Sequence, residues 1–65
     1  MIQFDIPGMT CGGCARSVTK AIHSIDADAR VVPDIPARRV TIESSHDRAK
    51  FVEAIRAAGY DMQPA

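Results

Sequence analysis

The chain has 65 residues, 46% of them hydrophobic, with eight basic side chains set against eight acidic ones. A net charge of zero leaves no global field to draw in nucleic acid or an anionic membrane, and no stretch is long and apolar enough for membrane insertion. One domain over residues 1–65 is expected. A chain this short buries only about 60% of its unfolded surface, and without Trp its core must come from Ile, Val, Ala, Met and the two Phe.

The N-terminus lacks the basic-then-apolar pattern of a signal peptide, because Asp5 and Pro7 come at once. A cytoplasmic location is expected. Two cysteines in a reducing compartment point to metal or redox chemistry rather than a structural disulfide.

Ile2, Phe4 and Ile6 alternate with Gln3 and Asp5, the period of a half-buried strand, and Pro7-Gly8 stops it. From residue 13 to about 25 the period becomes helical. Val18, Ala21, Ile22 and Ile25 share one face, with Thr10 as a candidate cap. Residues 29–35 read as a second strand, and Pro33 assigns it to a sheet edge. Its register is open, because Val31 and Val32 are both apolar. After a turn at Pro36-Ala37-Arg38, Val40 and Ile42 alternate with Thr41 and Glu43 as a third strand.

A second helix starts at Ser44-Ser45-His46-Asp47, with either Ser as cap and Asp47 at the positive helix end. Phe51, Val52, Ile55 and Ala58 form its expected buried stripe, and Gly59 its stop. Residues 60–63 are expected as a last strand. The order βαββαβ predicts an α+β, ferredoxin-like fold, a four-stranded antiparallel sheet with both helices on one face. Its first strand would be central and pair with the last, bringing Gly59-Tyr60 beside the loop that ends in Cys14.

That loop, Gly8-Met9-Thr10-Cys11-Gly12-Gly13-Cys14, holds both cysteines. Cys-x-x-Cys at a helix start brings two thiols together under free N–H groups and a positive dipole end, which favour thiolate. Gly12 and Gly13 are expected to permit a tight turn and leave the sulfurs uncovered. Two thiolates are soft ligands suited to Cu(I) or Hg(II), and also to zinc. A structural zinc site needs four ligands, however, and only two are evident. A two-sulfur site stays open to a third, incoming sulfur, so its metal can be handed on.

The stretch from Gly8 to Cys14 resembles the GMTCxxC motif of heavy-metal-associated domains, as in small copper chaperones and the N-terminal modules of copper-transporting P-type ATPases. The likeness extends over essentially the whole chain, including Ala58-Gly59-Tyr60-Asp61. It implies Cu(I) held by Cys11 and Cys14 and passed by ligand exchange to a similar domain of such an ATPase, with no catalytic turnover. Thr10 is like the copper members, whereas zinc- and cadmium-handling relatives often carry an acidic residue there. Tyr60 resembles the tyrosine that bacterial copper chaperones keep near the metal. Residues 26–39, with Pro33 and Pro36, depart from the usual family strand.

Met9 is expected to anchor the loop from the core rather than supply a thioether, and Thr10 to hydrogen-bond locally. Tyr60 is expected to shield the metal. Arg16 and Lys20 are candidates for docking an acidic partner, against the alternative of a solvated helix face. His23 and His46 read as surface histidines. Two alternatives to the carrier remain at this level. One is a regulatory module cut from a longer ATPase, although the initial Met and the early end favour a free-standing protein. The other is a thiol-disulfide oxidoreductase, which the short chain and the missing Trp before the first cysteine disfavour. A metal-bridged homodimer is a further expectation for an open site.

Overall fold

The computed structural model describes residues 1–64. The elements run β1 (Ile2–Asp5), α1 (Gly12–Ile25), β2 (Arg30–Asp34), β3 (Arg39–Glu43), α2 (Arg48–Ala57) and β4 (Gln63–Pro64). The sheet order is β2-β3-β1-β4, with every neighbouring pair antiparallel. β1 is central, between β3 and β4. Only β1, β2 and β3 run four residues or more, however, and β4 is a two-residue pairing of Gln63 with Asp5 and Pro64 with Phe4. A strand over residues 60–63 is therefore corrected to its last quarter. The amide of Tyr60 is committed to the end of α2, where it donates to the Ile55 carbonyl.

Alternation decides which face of the sheet is covered. Phe4, Val40 and Ile42 point inward and are buried. They share one core with Val18 and Ile22 of α1 and Phe51 and Ile55 of α2. Fully burying side chains of this size is worth about 1.5–3 kcal/mol each, so the two helices are held to the sheet chiefly by these residues. Ala15 is also buried, one turn before Val18, while Ala21 and Ile25 are only partly covered. Ala58, expected in the stripe of α2, is instead exposed at its C-cap.

β2 is an edge, where the missing N–H of Pro33 costs the sheet least. Its register is set by Val31 opposite Ile42 and Pro33 opposite Val40. Val31 thus packs against the core and Val32 faces out, 53% exposed. Neither expected serine cap forms. The N-cap of α2 is Asp47, without a side-chain cap bond. Ser44 is engaged elsewhere: its hydroxyl donates to Asp26 Oδ2 at 2.7 Å and accepts from the His46 amide at 3.1 Å.

Candidate metal centre

The cysteine loop is placed from both sides. Behind it, the Ile6 amide donates to the Arg38 carbonyl at 2.7 Å, and the Met9 amide closes a turn onto Ile6 at 2.9 Å. Met9 is 0% exposed and belongs to the core cluster, so its thioether is directed away from the solvent side of the loop. Thr10 is exposed, and its amide donates to the Gly8 carbonyl. Thr10 is not the helix cap. Cys11 holds that position with extended backbone, φ −149° and ψ 169°, and no side-chain cap bond forms.

Cys14 lies in the first turn of α1, three residues on, which turns its side chain back toward Cys11. The two thiols are free and their sulfurs are 3.3 Å apart, with Cys11 Sγ placed to donate to Cys14 Sγ. Cys11 is exposed and Cys14 half-buried. Gly12 and Gly13 act differently from expectation. Neither has a positive φ, and both lie within the regular helix. What they supply is bare surface: a β-carbon on Gly12 would meet nothing within 4 Å, and one on Gly13 would sit 3.9 Å from Cys11 Sγ.

The third side of the site comes from the far end of the chain. Gly59 has φ +94°, a conformation that suits glycine. Its amide donates to the Arg56 carbonyl at 2.9 Å, and that of Tyr60 to Ile55 at 3.3 Å. These are the paired bonds of a Schellman motif, with Tyr60 at its last position. The turn directs Tyr60 onto the cysteine loop, where its ring lies 3.5 Å from the place of a β-carbon on Gly8.

The Cys14 thiol titrates below the ordinary cysteine value. The hydrogen bond from Cys11 is the main cause, followed by those from the Tyr60 hydroxyl and the Thr10 backbone, with burial opposing. The Tyr60 hydroxyl is raised above its usual value, first by its bond to Cys14 and then by burial, while Ser17 opposes. The two shifts, opposite in sign, describe one interaction between the Tyr60 hydroxyl and the Cys14 thiol. Ser17 was not anticipated from the sequence. Its signal is its place one turn after Cys14 on α1.

Arg16 and Lys20 are exposed on α1 and, with Gly13 and Ser17, line a shallow open groove of about 380 Å³. Among the described residues neither cation forms an ion pair. The histidines lie apart from the thiols. His23 Nε2 is 3.0 Å from the Ala29 carbonyl, and His46 Nε2 is 3.9 Å from Asp26. Among the described residues no three His, Cys, Asp or Glu side chains gather in a way that could hold a metal ion.

The heavy-metal-associated domain family matches residues 3–61. The chain belongs to that family. As a heavy-metal-associated domain it is 39% identical over 65 residues to the mercuric reductase of Acidithiobacillus ferrooxidans, covering 95% of this chain and 12% of the reductase. It is 34% identical over 65 residues to copper-transporting ATPase 1 of Rhizobium meliloti, covering 97% of this chain and 8% of the ATPase. The chain thus spans about a tenth of these relatives' length. Among solved structures, the copper chaperone Atx1 from Synechocystis PCC6803 superposes with a TM-score of 0.93 at 38% identity, covering 97% of this chain and all of that one. A gold binding protein gives 0.95 at 38% identity with both chains fully covered. No helix among the described residues is long and apolar enough to cross a membrane.

Proposed function

We propose that this domain is a carrier that takes Cu(I) onto Cys11 and Cys14 and passes it by ligand exchange to a similar domain of a copper-transporting P-type ATPase. The observation that carries this reading is the pair of free thiols 3.3 Å apart at an open helix start, one of them with its pKa lowered chiefly by Cys11 and then by Tyr60. Soft, polarisable cations are what two thiolates hold best. With no cluster of three metal-binding side chains among the described residues, zinc would lack the four ligands of a closed site.

With metal–sulfur bonds of about 2.3 Å, sulfurs 3.3 Å apart would subtend roughly a right angle at the metal. A near-linear two-sulfur complex needs them to part by about another ångström. The exposed side chain of Cys11 is free to swing outward. Met9 anchors the loop, Thr10 lends its backbone, Gly12 and Gly13 leave the sulfurs uncovered, and Tyr60 shields one side. Arg16 and Lys20 offset the negative charge of the bis-thiolate complex and face an acidic partner. The similarity to a copper-transporting ATPase and a copper chaperone favours copper among the soft metals.

Transfer is tested by mixing Cu(I)-loaded protein with the metal-free N-terminal domain of a copper-transporting ATPase, then separating the two and assaying copper. Copper divided between them within the mixing time is expected. Copper retained wholly on the donor would refute the carrier reading. The relatives' greater length favours a second reading, in which the same site serves as a module of a longer protein. A mercuric reductase among them makes Hg(II) the competing cargo, and metal analysis of protein isolated from its own cells decides between the two.

A further inference from the structure

We propose that the β2 edge of the sheet is an interface between two copies of this chain, in which β2 (Arg30–Asp34) pairs antiparallel with β2 of a second copy about Val32. β2 has a strand on one side only. Its register with β3 puts Val31 against the core, so alternation turns Arg30, Val32 and Asp34 to the uncovered face of the sheet. Among the described residues Met1 and Val32 are the large apolar side chains left exposed, and Val32 stands at the middle of the edge strand.

The charges on either side of Val32 are unmatched within the chain. Arg30 lies across from Glu43 and Asp34 across from Arg39, yet among the described residues neither Arg30 nor Asp34 forms an ion pair. Arg39 is taken by Asp5 at 3.0 Å. One Asp34 oxygen accepts from the Ala37 amide at 3.3 Å, which leaves the other. The run Arg-Val-Val-Pro-Asp is self-complementary under a two-fold axis through Val32. Val32 meets its own copy, and each Arg30 stands opposite Asp34 of the other chain.

The backbone agrees with that register. An edge-strand proline turns its missing N–H to the open side, so Val31, two residues earlier, presents its N–H and C=O on that side. About Val32, each Val31 amide faces the Pro33 carbonyl of the other copy, and two backbone hydrogen bonds form without the absent donor. Proline and charge also keep an edge from pairing at random, and here they exclude the neighbouring registers. Centring on Val31 sets Asp34 against Asp28, like charge on like, and centring on Pro33 sets two prolines face to face. Two ladder bonds and two exposed ion pairs make a small contact, far below the roughly 1,200 Å² of a stable interface. The association therefore belongs at millimolar concentration. The two β1 strands of the pair lie five strand spacings apart, roughly 24 Å at about 4.8 Å each, and run in opposite directions. The cysteine loops that follow them are too far apart to share a metal ion, and the pairing needs none.

The test is sedimentation of reduced, metal-free protein in chelator from micromolar to millimolar concentration. Wild type should shift toward a dimer at the upper end, and amide shifts on dilution should centre on residues 30–34. Arg30→Asp and Asp34→Arg each bring like charges together twice, so each alone should associate at least about tenfold more weakly. An equal mixture of the two restores both pairs, as does Arg30→Asp/Asp34→Arg, and both should associate as wild type does. A variant that had merely unfolded could not rescue the other. Wild type that stays monomeric at millimolar concentration overturns the proposal. So do single reversals that associate like wild type, a mixture that stays monomeric, or dilution shifts centred on the cysteine loop or the helices.

Discussion

Tyr60 and Cys14 show how a neighbouring hydroxyl helps tune a thiol. The hydroxyl lowers the Cys14 thiol's pKa, second to the larger effect of Cys11, and Cys14 in turn raises that of the phenol. Tyr60→Phe removes the donor and nothing else of size. The Cys14 thiol should then titrate higher, which is read as an upward move of the pH profile for its alkylation in metal-free protein. An unchanged profile would show that Cys11 and the backbone carry the whole shift. Met9 makes the complementary case. It is fully buried, so Met9→Leu, a volume-conserving change, should cost less than about 1.5 kcal/mol and leave Cu(I) affinity intact in a chelator competition. A loss of affinity would instead make the thioether a ligand. Both cysteines and the burial of Met9 are legible in the sequence, because motif and period are local. The bareness of Gly12 and Gly13 is legible too, but their backbone is not: glycine permits a positive φ without requiring one, and here the helix claims both.

At the scale of elements, two joints position everything else. One is the end of α2. Gly59 sits at φ +94°, so Gly59→Ala should destabilise the fold by about 1–2 kcal/mol, measured by denaturant unfolding. The Cys14 titration should move upward with it as Tyr60 loses its seat. The other joint fastens the end of α1 to the segment before α2. The Asp26 carboxyl is held below the ordinary carboxylate range, first by the Ser44 hydroxyl and then by the Asp28 amide and the two histidines, against some burial. Its folded-state pKa lies below the unfolded one. The stabilisation is therefore fully present above the ordinary Asp value of about 3.9 and is lost as pH falls through the lowered value. The stability gap between wild type and Asp26→Asn should accordingly narrow below about pH 4, and a gap that stays constant down to pH 2 would contradict this. The bond from Ser44 to Asp26 spans 18 residues, which is why a serine that reads locally as a cap turns out not to be one. The length of β4 was illegible for a related reason. Met62 is buried, but whether Tyr60 extends a strand or closes a helix depends on which carbonyl takes its amide.

For the molecule as a whole, interleaving the two βα units brings a tyrosine near the C-terminal end to a cysteine pair near the N-terminal end. The order of elements was enough to foresee that meeting, since it follows from β1 being central. The groove on α1 was not foreseen as a cavity, although Arg16 and Lys20 were singled out as charges, because shape belongs to assembled surfaces. An open site on so small a body should also join two copies through one metal ion. Sedimentation at substoichiometric Cu(I) should then give a heavier species that reverts on adding chelator, and an unchanged mass at every loading would exclude the bridge. The central claim is that Cys11 and Cys14 alone hold the cargo. Titration of reduced protein with Cu(I) against a competing chelator tests it most directly. Wild type should take up about one equivalent tightly, and Cys11→Ser/Cys14→Ser should take up none. A double variant that bound copper as well as wild type would contradict the account.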